Sequence, residues 1–353
     1  MSNDDLSNML DTFEPPPVDD EDPLEQTRDL FNVDIWRQQP QEDAVAKKPW
    51  WRRGPSPKQL AEMARQRDLK LLATPFKAST KRIVVANTSG KGGKTTLAVL
   101  MGAALGHWTG RSVLIVENGP TGTLRNRLES VPRPIHDMDE LAKHLVELEG
   151  RPDASTIIQA VYAIWQNQGQ FSVILGRQEM TEDNGTGQLV TKQPTLTRGE
   201  VARIVGLLGH IYPWLIIDSG NNACDEAWLG SVDVADLLLL PTTWGGTEME
   251  GVITILKTLN ETHQEHLAWS SIVVVTQPPG MAVDPKNKAN AMAFFQRQGV
   301  TVVEIPPDPA MAERDKPILW DQLSPVTHEA MLKLCATVVE RLHTFDMPAR
   351  GRR

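Results

Sequence analysis

The stretch Ile83–Thr96 reads IVVANTSGKGGKTT, and the fold follows from how it is read. A short β-branched run enters a glycine-rich turn, and Lys94-Thr95-Thr96 then opens an apolar segment with helical character. Strand, glycine-rich loop and helix in that order form a phosphate-binding loop. The loop Ser89-Gly90-Lys91-Gly92-Gly93 lets backbone N–H groups turn inward around a polyphosphate. The helix start at Lys94-Thr95-Thr96 adds its dipole and unpaired donors. Lys94 is placed to reach the β- and γ-phosphates, and the Thr95 hydroxyl to ligate Mg²⁺. Thr88 stands where the pattern G-x-x-x-x-G-K-[ST] has its first glycine, so the surrounding chain must carry the assignment.

Working outward, strand and helix signals alternate from Arg82 onward. Strands are expected at Ile83–Asn87, Ser112–Glu117, Phe171–Leu175, Trp214–Asp218, Leu237–Pro241, Ile272–Thr276 and Val300–Ile305. Most are unbroken apolar runs, as in a parallel sheet covered on both faces. Helices are expected at Thr95–His107, Asp137–Glu149, Ala154–Gln166, Gly199–Leu208, Thr247–Leu259, Lys286–Gln298 and Pro325–Phe345. This is an α/β, doubly wound, mostly parallel sheet of the P-loop NTPase type. Ligand then belongs at the carboxyl ends of the strands, beside the Gly90–Lys94 loop. Leu215-Ile216-Ile217-Asp218 brings an acid to the end of a buried strand, where it can hold a Mg²⁺-bound water. Val113–Glu117 leads into Asn118-Gly119-Pro120-Thr121-Gly122, a candidate switch loop over the phosphates.

Taken together, ANTSGKGGKTT, VENGPTGTL, WLIIDSG and DVADLLLLPTT resemble the ParA/MinD family of deviant-Walker ATPases over about residues 80–345. The stretches around Pro306–Pro309 and Trp320–Pro325 are similar to actinobacterial MinD-like members. The resemblance implies ATP and Mg²⁺ as ligands, and a homodimer that forms on ATP binding with each site completed across the interface. It also implies a surface, nucleoid DNA or membrane, that binds the ATP form. It places Lys94, Glu117 and Asp218 as catalytic groups and Thr95 and Asp218 on the metal. The base contacts would fall at Thr276-Gln277-Pro278 and in the loop holding Pro307, with Gln277 offering an amide donor and acceptor.

Two departures from the family pattern bear on rate. Aligned without gaps, Ser89 stands where K-G-G-x-G-K-T-T has its early lysine, and Lys91 lies two residues later. Lys91 then donates to phosphate either in cis or across a dimer, or not at all. In the switch loop the family reads D-x-D-P; Glu117 matches the first Asp and Gly119 replaces the second. Glycine orients no water, and losing a group that positions the nucleophile costs orders of magnitude. The expectation is an ATP-dependent dimerisation switch with slow hydrolysis, in plasmid or chromosome partition or positioning. The alternatives are a MinD-like accessory ATPase of a secretion system and a catalytically weak nucleotide-binding scaffold.

Composition frames these readings. The 353 residues carry 40% hydrophobic and 23% charged side chains, a net charge of −9 and two cysteines without metal spacing. No run reaches the roughly 18–20 apolar residues of a membrane span, and the acidic N-terminus does not resemble a secretory signal. A cytoplasmic protein is expected, with association with the nucleoid as one option. Residues 1–45 read as an acidic disordered tail, 46–80 as a basic linker with a short helix from Ser56-Pro57 to about Leu72, 81–347 as the ATPase domain and 348–353 as a basic tail. Leu6-Met9-Leu10-Phe13 and Leu30–Trp36 are either docking motifs for a partner protein or residual hydrophobicity. Trp50-Trp51-Arg52-Arg53 suits nucleic acid, an acidic membrane face or the folded domain itself. Nonspecific DNA ranks ahead of membrane as a surface.

Overall fold

The computed structural model describes residues 55–346 apart from 77–79, 91, 120–122, 133–134, 177–180, 183–188, 191–195, 279, 281–282 and 314. The terminal tails, Lys91 and the Pro120–Gly122 part of the switch loop therefore lie outside the described residues.

In chain order, α1 (Pro57–Ala73), β1 (Lys81–Val85), α2 (Lys94–Thr109) and β2 (Val113–Asn118) form the first unit. Short helices α3 (Met138–Lys143), α4 (Leu145–Glu149) and α5 (Ala154–Ile157) follow. Next come β3 (Ile164–Gln166), β4 (Phe171–Ile174) and a small hairpin of β5 (Thr181–Glu182) and β6 (Leu189–Val190). The second half runs α6 (Arg198–Gly209), β7 (Trp214–Ser219), α7 (Glu226–Asp233), β8 (Leu237–Thr242), α8 (Gly246–Glu261) and α9 (Glu265–Ser270). It closes with β9 (Ile272–Thr276), α10 (Pro285–Arg297), β10 (Thr301–Ile305), α11 (Pro309–Ala312) and α12 (Pro325–Asp346).

The main sheet has eight strands in the order β10-β9-β8-β1-β7-β2-β4-β3. All its pairings are parallel except β3 with β4. The apolar runs are continuous because successive side chains alternate between two buried faces. Val84, Leu114, Leu215, Ile217, Leu238 and Leu240 pack on the side of α6, α7 and α8. Their neighbours Ile83, Val85, Ile115, Ile216, Leu237 and Leu239 pack on the side of α2 and α12. Helix α2 is buried almost all round, from Leu97 to Gly106, which is why its sequence shows no amphipathic stripe.

Helix α1 starts where the sequence predicts. Ser56 accepts from the Gln59 N–H, the Gln59 side chain accepts from the Ser56 N–H, and Pro57 takes the first helical position. Its basic residues dock on α12 through Arg65–Glu329 at 2.8 Å and Arg67–Glu340 at 2.6 Å. Helix α12 packs into the core through Met331, Leu334, Cys335, Val338 and Leu342, all buried. Among the described residues no helix is long and apolar enough to cross a membrane.

Two helix expectations are corrected. The run expected as a helix over Ala154–Gln166 is helical only to Ile157, widens into a π-turn over Ile158–Tyr162, and ends as the edge strand β3. Ile164 and Trp165 suit a strand, and Gln166 is held there by its side-chain amide, which donates to the Ser130 carbonyl at 2.7 Å. The expected Asp137–Glu149 helix is likewise two pieces, broken at His144. Helices α7, α9 and α11 lie outside the expected helices.

Close packing of α2 on the turn before β4 yields a test. A Cβ on Gly106 would lie 2.7 Å from the Gln170 carbonyl oxygen, whereas one on Gly206, in α6, meets nothing within 4 Å. Gly106→Ala is expected to cost about 1–3 kcal/mol in urea denaturation. Gly206→Ala is expected to stabilise by about 0.5–1 kcal/mol.

Candidate nucleotide site

The site is built on three adjacent strands. Parallel register sets Val85 opposite Asp218, and Asp218 opposite Glu117. The carboxyl end of β1, where the loop begins, therefore stands beside two acids from neighbouring strands. The sheet order places the chain's outward turns to either side of β1, making this the switch point where ligands of open α/β sheets sit.

Asn87 fixes the base of the loop. Its amide donates to the Pro241 carbonyl at 2.7 Å and the Glu248 carbonyl at 3.1 Å, while its side-chain oxygen accepts from the Ser89 N–H at 2.7 Å. The approach is close enough that a Cβ on Gly92 would lie 2.7 Å from the Asn87 amide nitrogen. Gly93 caps α2 in the left-handed region at φ 82°, which glycine adopts without strain. A Cβ there would meet the Thr276 hydroxyl at 3.2 Å, so the end of β9 lies against the loop. The loop is a mould that only these small residues fit.

Lys94, 8% exposed, turns back into the loop. Its ammonium donates to the carbonyls of Asn87 and Ser89, each at 2.9 Å, and to the side-chain oxygen of Asn221. Burial draws it down from 10.5 to about 8, against the attraction of Asp218. Burial pushes Asp218 up from 3.8 to about 6, opposed by a hydrogen bond from Thr95 and by the charge of Lys94. The Thr95 hydroxyl also lies 3.2 Å from that of Thr123. A threonine hydroxyl and a carboxylate side by side are hard oxygen donors of the kind Mg²⁺ takes, with the rest of its shell left to phosphate and water. Among the described residues no group of three or more His, Cys, Asp or Glu side chains gathers around a metal position. The donor set thus fits a metal that arrives with a polyphosphate.

Glu117 has another occupation. It is 3% exposed, and its two oxygens accept from the N–H groups of Leu124 at 2.8 Å and Gly176 at 2.9 Å. Burial first, then the charge of Asp218, push its carboxyl up from 4.5 to about 7, despite the N–H groups of Leu124, Gly176 and Thr123. It ties the far side of the switch loop and the end of β4 to β2. Gly119 faces bare backbone: a Cβ on it would meet the Gly220 Cα at 3.4 Å, an ordinary contact.

The structure gathers Ser89, Gly90, Gly92, Gly93, Lys94, Thr95, Glu117 and Asp218 at one end of the sheet. Thr96 turns elsewhere, its hydroxyl accepting from the Arg127 guanidinium at 2.9 Å. Gln277 follows the loop-facing Thr276, and its side-chain oxygen accepts from the Trp244 N–H at 3.1 Å. Trp244 in turn reaches Glu304 at 3.3 Å beneath Lys288. Pro307 is exposed, ahead of Asp308, whose carboxylate anchors the segment by accepting from the Ser324 N–H and the Thr327 hydroxyl. Sequence reasoning missed Asn87, Thr123, Gly176 and Asn221. Asn87 lay inside the quoted stretch, and its position at a strand end was the available signal.

Glu117 gives a pH test on the ligand-free protein. It binds its proton more tightly folded than unfolded, so its contribution to stability is present at pH 4.5 and is lost as pH rises through about 7. Urea denaturation is expected to lose up to about 3 kcal/mol from this group over that window. Glu117→Gln, which keeps one acceptor and cannot ionise, is expected to flatten that loss; an unchanged slope would show that Glu117 does not titrate there.

The sequence pattern of the CobQ/CobB/MinD/ParA nucleotide binding domain matches residues 83–318. No curated protein matches the chain. Among solved structures, a ParA family ATPase from Chlorobium tepidum TLS is 15% identical with a TM-score of 0.53, covering 75% of this chain and 98% of its own. Cyanothece apo McdA is 18% identical with a TM-score of 0.52, covering 72% and 99%. The septum site-determining protein MinD from Pyrococcus horikoshii OT3, complexed with Mg-ADP, is 16% identical with a TM-score of 0.51, covering 72% and 94%. These likenesses show the fold, and the family match covers residues 83–318: the chain belongs to the ParA/MinD family of nucleotide-binding proteins.

Proposed function

We propose that the protein binds ATP with Mg²⁺ and uses it as a dimerisation switch with slow hydrolysis, acting in DNA partition or positioning. The observation that carries the reading is Lys94 at the start of α2, buried against neutral carbonyls beside the Thr95–Asp218 pair. An ammonium held by neutral oxygens exchanges them favourably for phosphate, because charge-assisted hydrogen bonds are about twice as strong. The Gly90–Gly93 backbone and Lys94 would hold the polyphosphate, and Thr95 and Asp218 the metal. Bound Mg²⁺ would supply charge neutralisation to the phosphates.

Slow turnover follows from the switch strand. Both Glu117 oxygens are engaged by backbone donors, and Gly119 presents no side chain. The strand thus offers no free base to a water. DNA is the favoured surface because the sequence gathers eleven Lys and Arg against two acids between Lys47 and Arg82, of which Arg65, Arg67 and Arg82 are held in ion pairs on the domain. The ParA family ATPase and MinD among the structural neighbours support a switch of this general kind, while leaving a secretion-associated role as the second reading.

Lys94→Ala is expected to abolish ATP binding by calorimetry in Mg²⁺ while leaving the melting temperature near that of the parent. Retained affinity would overturn the site. A Cβ on Gly119 meets only ordinary contacts, and Gly119→Asp is expected to raise ATP turnover about 10–100-fold; no gain would show that the missing carboxylate is not what limits the rate. DNA binding with ATP should fall steeply along a salt series, by counterion release. Salt-insensitive or absent binding favours the secretion reading.

A further inference from the structure

We infer that Asn221 is the residue that tells a triphosphate from a diphosphate, by exchanging Lys94 for the γ-phosphate. The inference rests on the ATP-binding reading above.

The loop after β7 runs Gly220-Asn221-Asn222, and Gly220 is fastened to the switch strand by donating its N–H to the Asn118 carbonyl at 3.2 Å. That fastening sets Asn221 over the mouth of the P-loop. Its side-chain oxygen accepts from the Lys94 ammonium. Lysine carries donors only, so the oxygen of the amide faces Lys94 and the nitrogen faces outward. That nitrogen lies 3.4 Å from where a Cβ on Gly90 would stand. The amide therefore spans the loop from Lys94 to Gly90, across the opening through which the end of a polyphosphate must pass. Asn221 is exposed to solvent.

Among the described residues, two features on either side favour Asn221 for this task. Gly119 and Gly220 bring two strand ends together with no side chain between them. Glu117 is turned away and occupied by backbone donors. In the ligand-free loop, Asn221 gives Lys94 an acceptor. When phosphate takes Lys94, the amide loses that partner and holds an N–H₂ donor beside Gly90 and a free oxygen. The donor suits a γ-phosphate oxygen, and the oxygen suits a water beside it. An amide has no basicity to take a proton near neutral pH, so it orients without activating. That is the part a glutamine plays in other P-loop enzymes. A diphosphate also takes Lys94 through its β-phosphate but brings no γ-phosphate oxygen to the freed amide, so only a triphosphate offsets the lost Lys94–Asn221 contact.

The test compares ADP with a non-hydrolysable ATP analogue, each in Mg²⁺, by calorimetry on the full chain. In the parent the analogue is expected to bind more tightly than ADP. Asn221→Ala is expected to cut that preference about 10-fold or more, the worth of a hydrogen bond to a charged group. ADP affinity should stay within about threefold or tighten, because a competitor for Lys94 is gone. Asn221→Asp places a carboxylate on Lys94 and against the γ-phosphate, and is expected to weaken the analogue more than Asn221→Ala does. Asn221→Ser supplies the same comparison should the alanine variant melt early. An unchanged preference, or equal losses for both nucleotides, overturns the role of Asn221 while leaving the nucleotide site standing. A folded parent that binds neither nucleotide overturns the site itself.

Discussion

The parallel register of β1, β7 and β2 is the constraint on which the rest depends. It sets Val85, Asp218 and Glu117 in one row across the sheet and leaves the P-loop no other place to turn than over two acids. The interior alternation of Val84, Leu215 and Leu238 with Ile83, Ile216 and Leu239 holds that row by burying both faces. A slip of one residue in β7 would carry Asp218 to the opposite face and bring a core side chain into its place. Register here is therefore a functional quantity as much as a structural one.

That row concentrates ionisable groups where solvent is scarce. Lys94, Asp218 and Glu117 are each pulled toward neutrality by burial, the lysine downward and the acids upward. Each is then restrained by specific donors or acceptors: Lys94 by carbonyls, Asp218 by Thr95, Glu117 by the N–H groups of Leu124 and Gly176. The two acids nevertheless face different neighbours. Asp218 has a hydroxyl, which a metal can share, whereas Glu117 has backbone donors that fix a loop. Similar acids at adjacent strand ends thus take up different tasks because of what lies within hydrogen-bonding reach.

The central strands were legible because each is an unbroken apolar run and each run ends in a residue of special kind: Asn87, Glu117 or Asp218. The cap at Ser56 and the start of α2 were legible because local chemistry decides them. Strand β3 was not, since Ile164-Trp165-Gln166 takes its conformation from pairing with β4 and from the Ser130 carbonyl, both distant in sequence. Glu117 and Gly119 were found as positions, but what Glu117 holds required seeing Gly176 beside it. Asn221 escaped for the same reason: polar residues after a strand read as a loop until a lysine from another element lies beneath one. Trp228 lies in the core, whereas Trp269 is 45% exposed.

Arg127 is 5% exposed, and its guanidinium joins the Thr96 hydroxyl to the carbonyls of Met311, Glu313 and Lys316. Its own carbonyl accepts from the Ile318 N–H and from the Gln168 amide, which also donates to the Ile318 carbonyl. Segments far apart in sequence thus close on a single planar fork, whose geometry a lysine would not reproduce. The first turn of α2 and the segment ahead of α12 open together or not at all, so the nucleotide loop shares the cooperativity of the whole domain rather than the fraying of a surface loop.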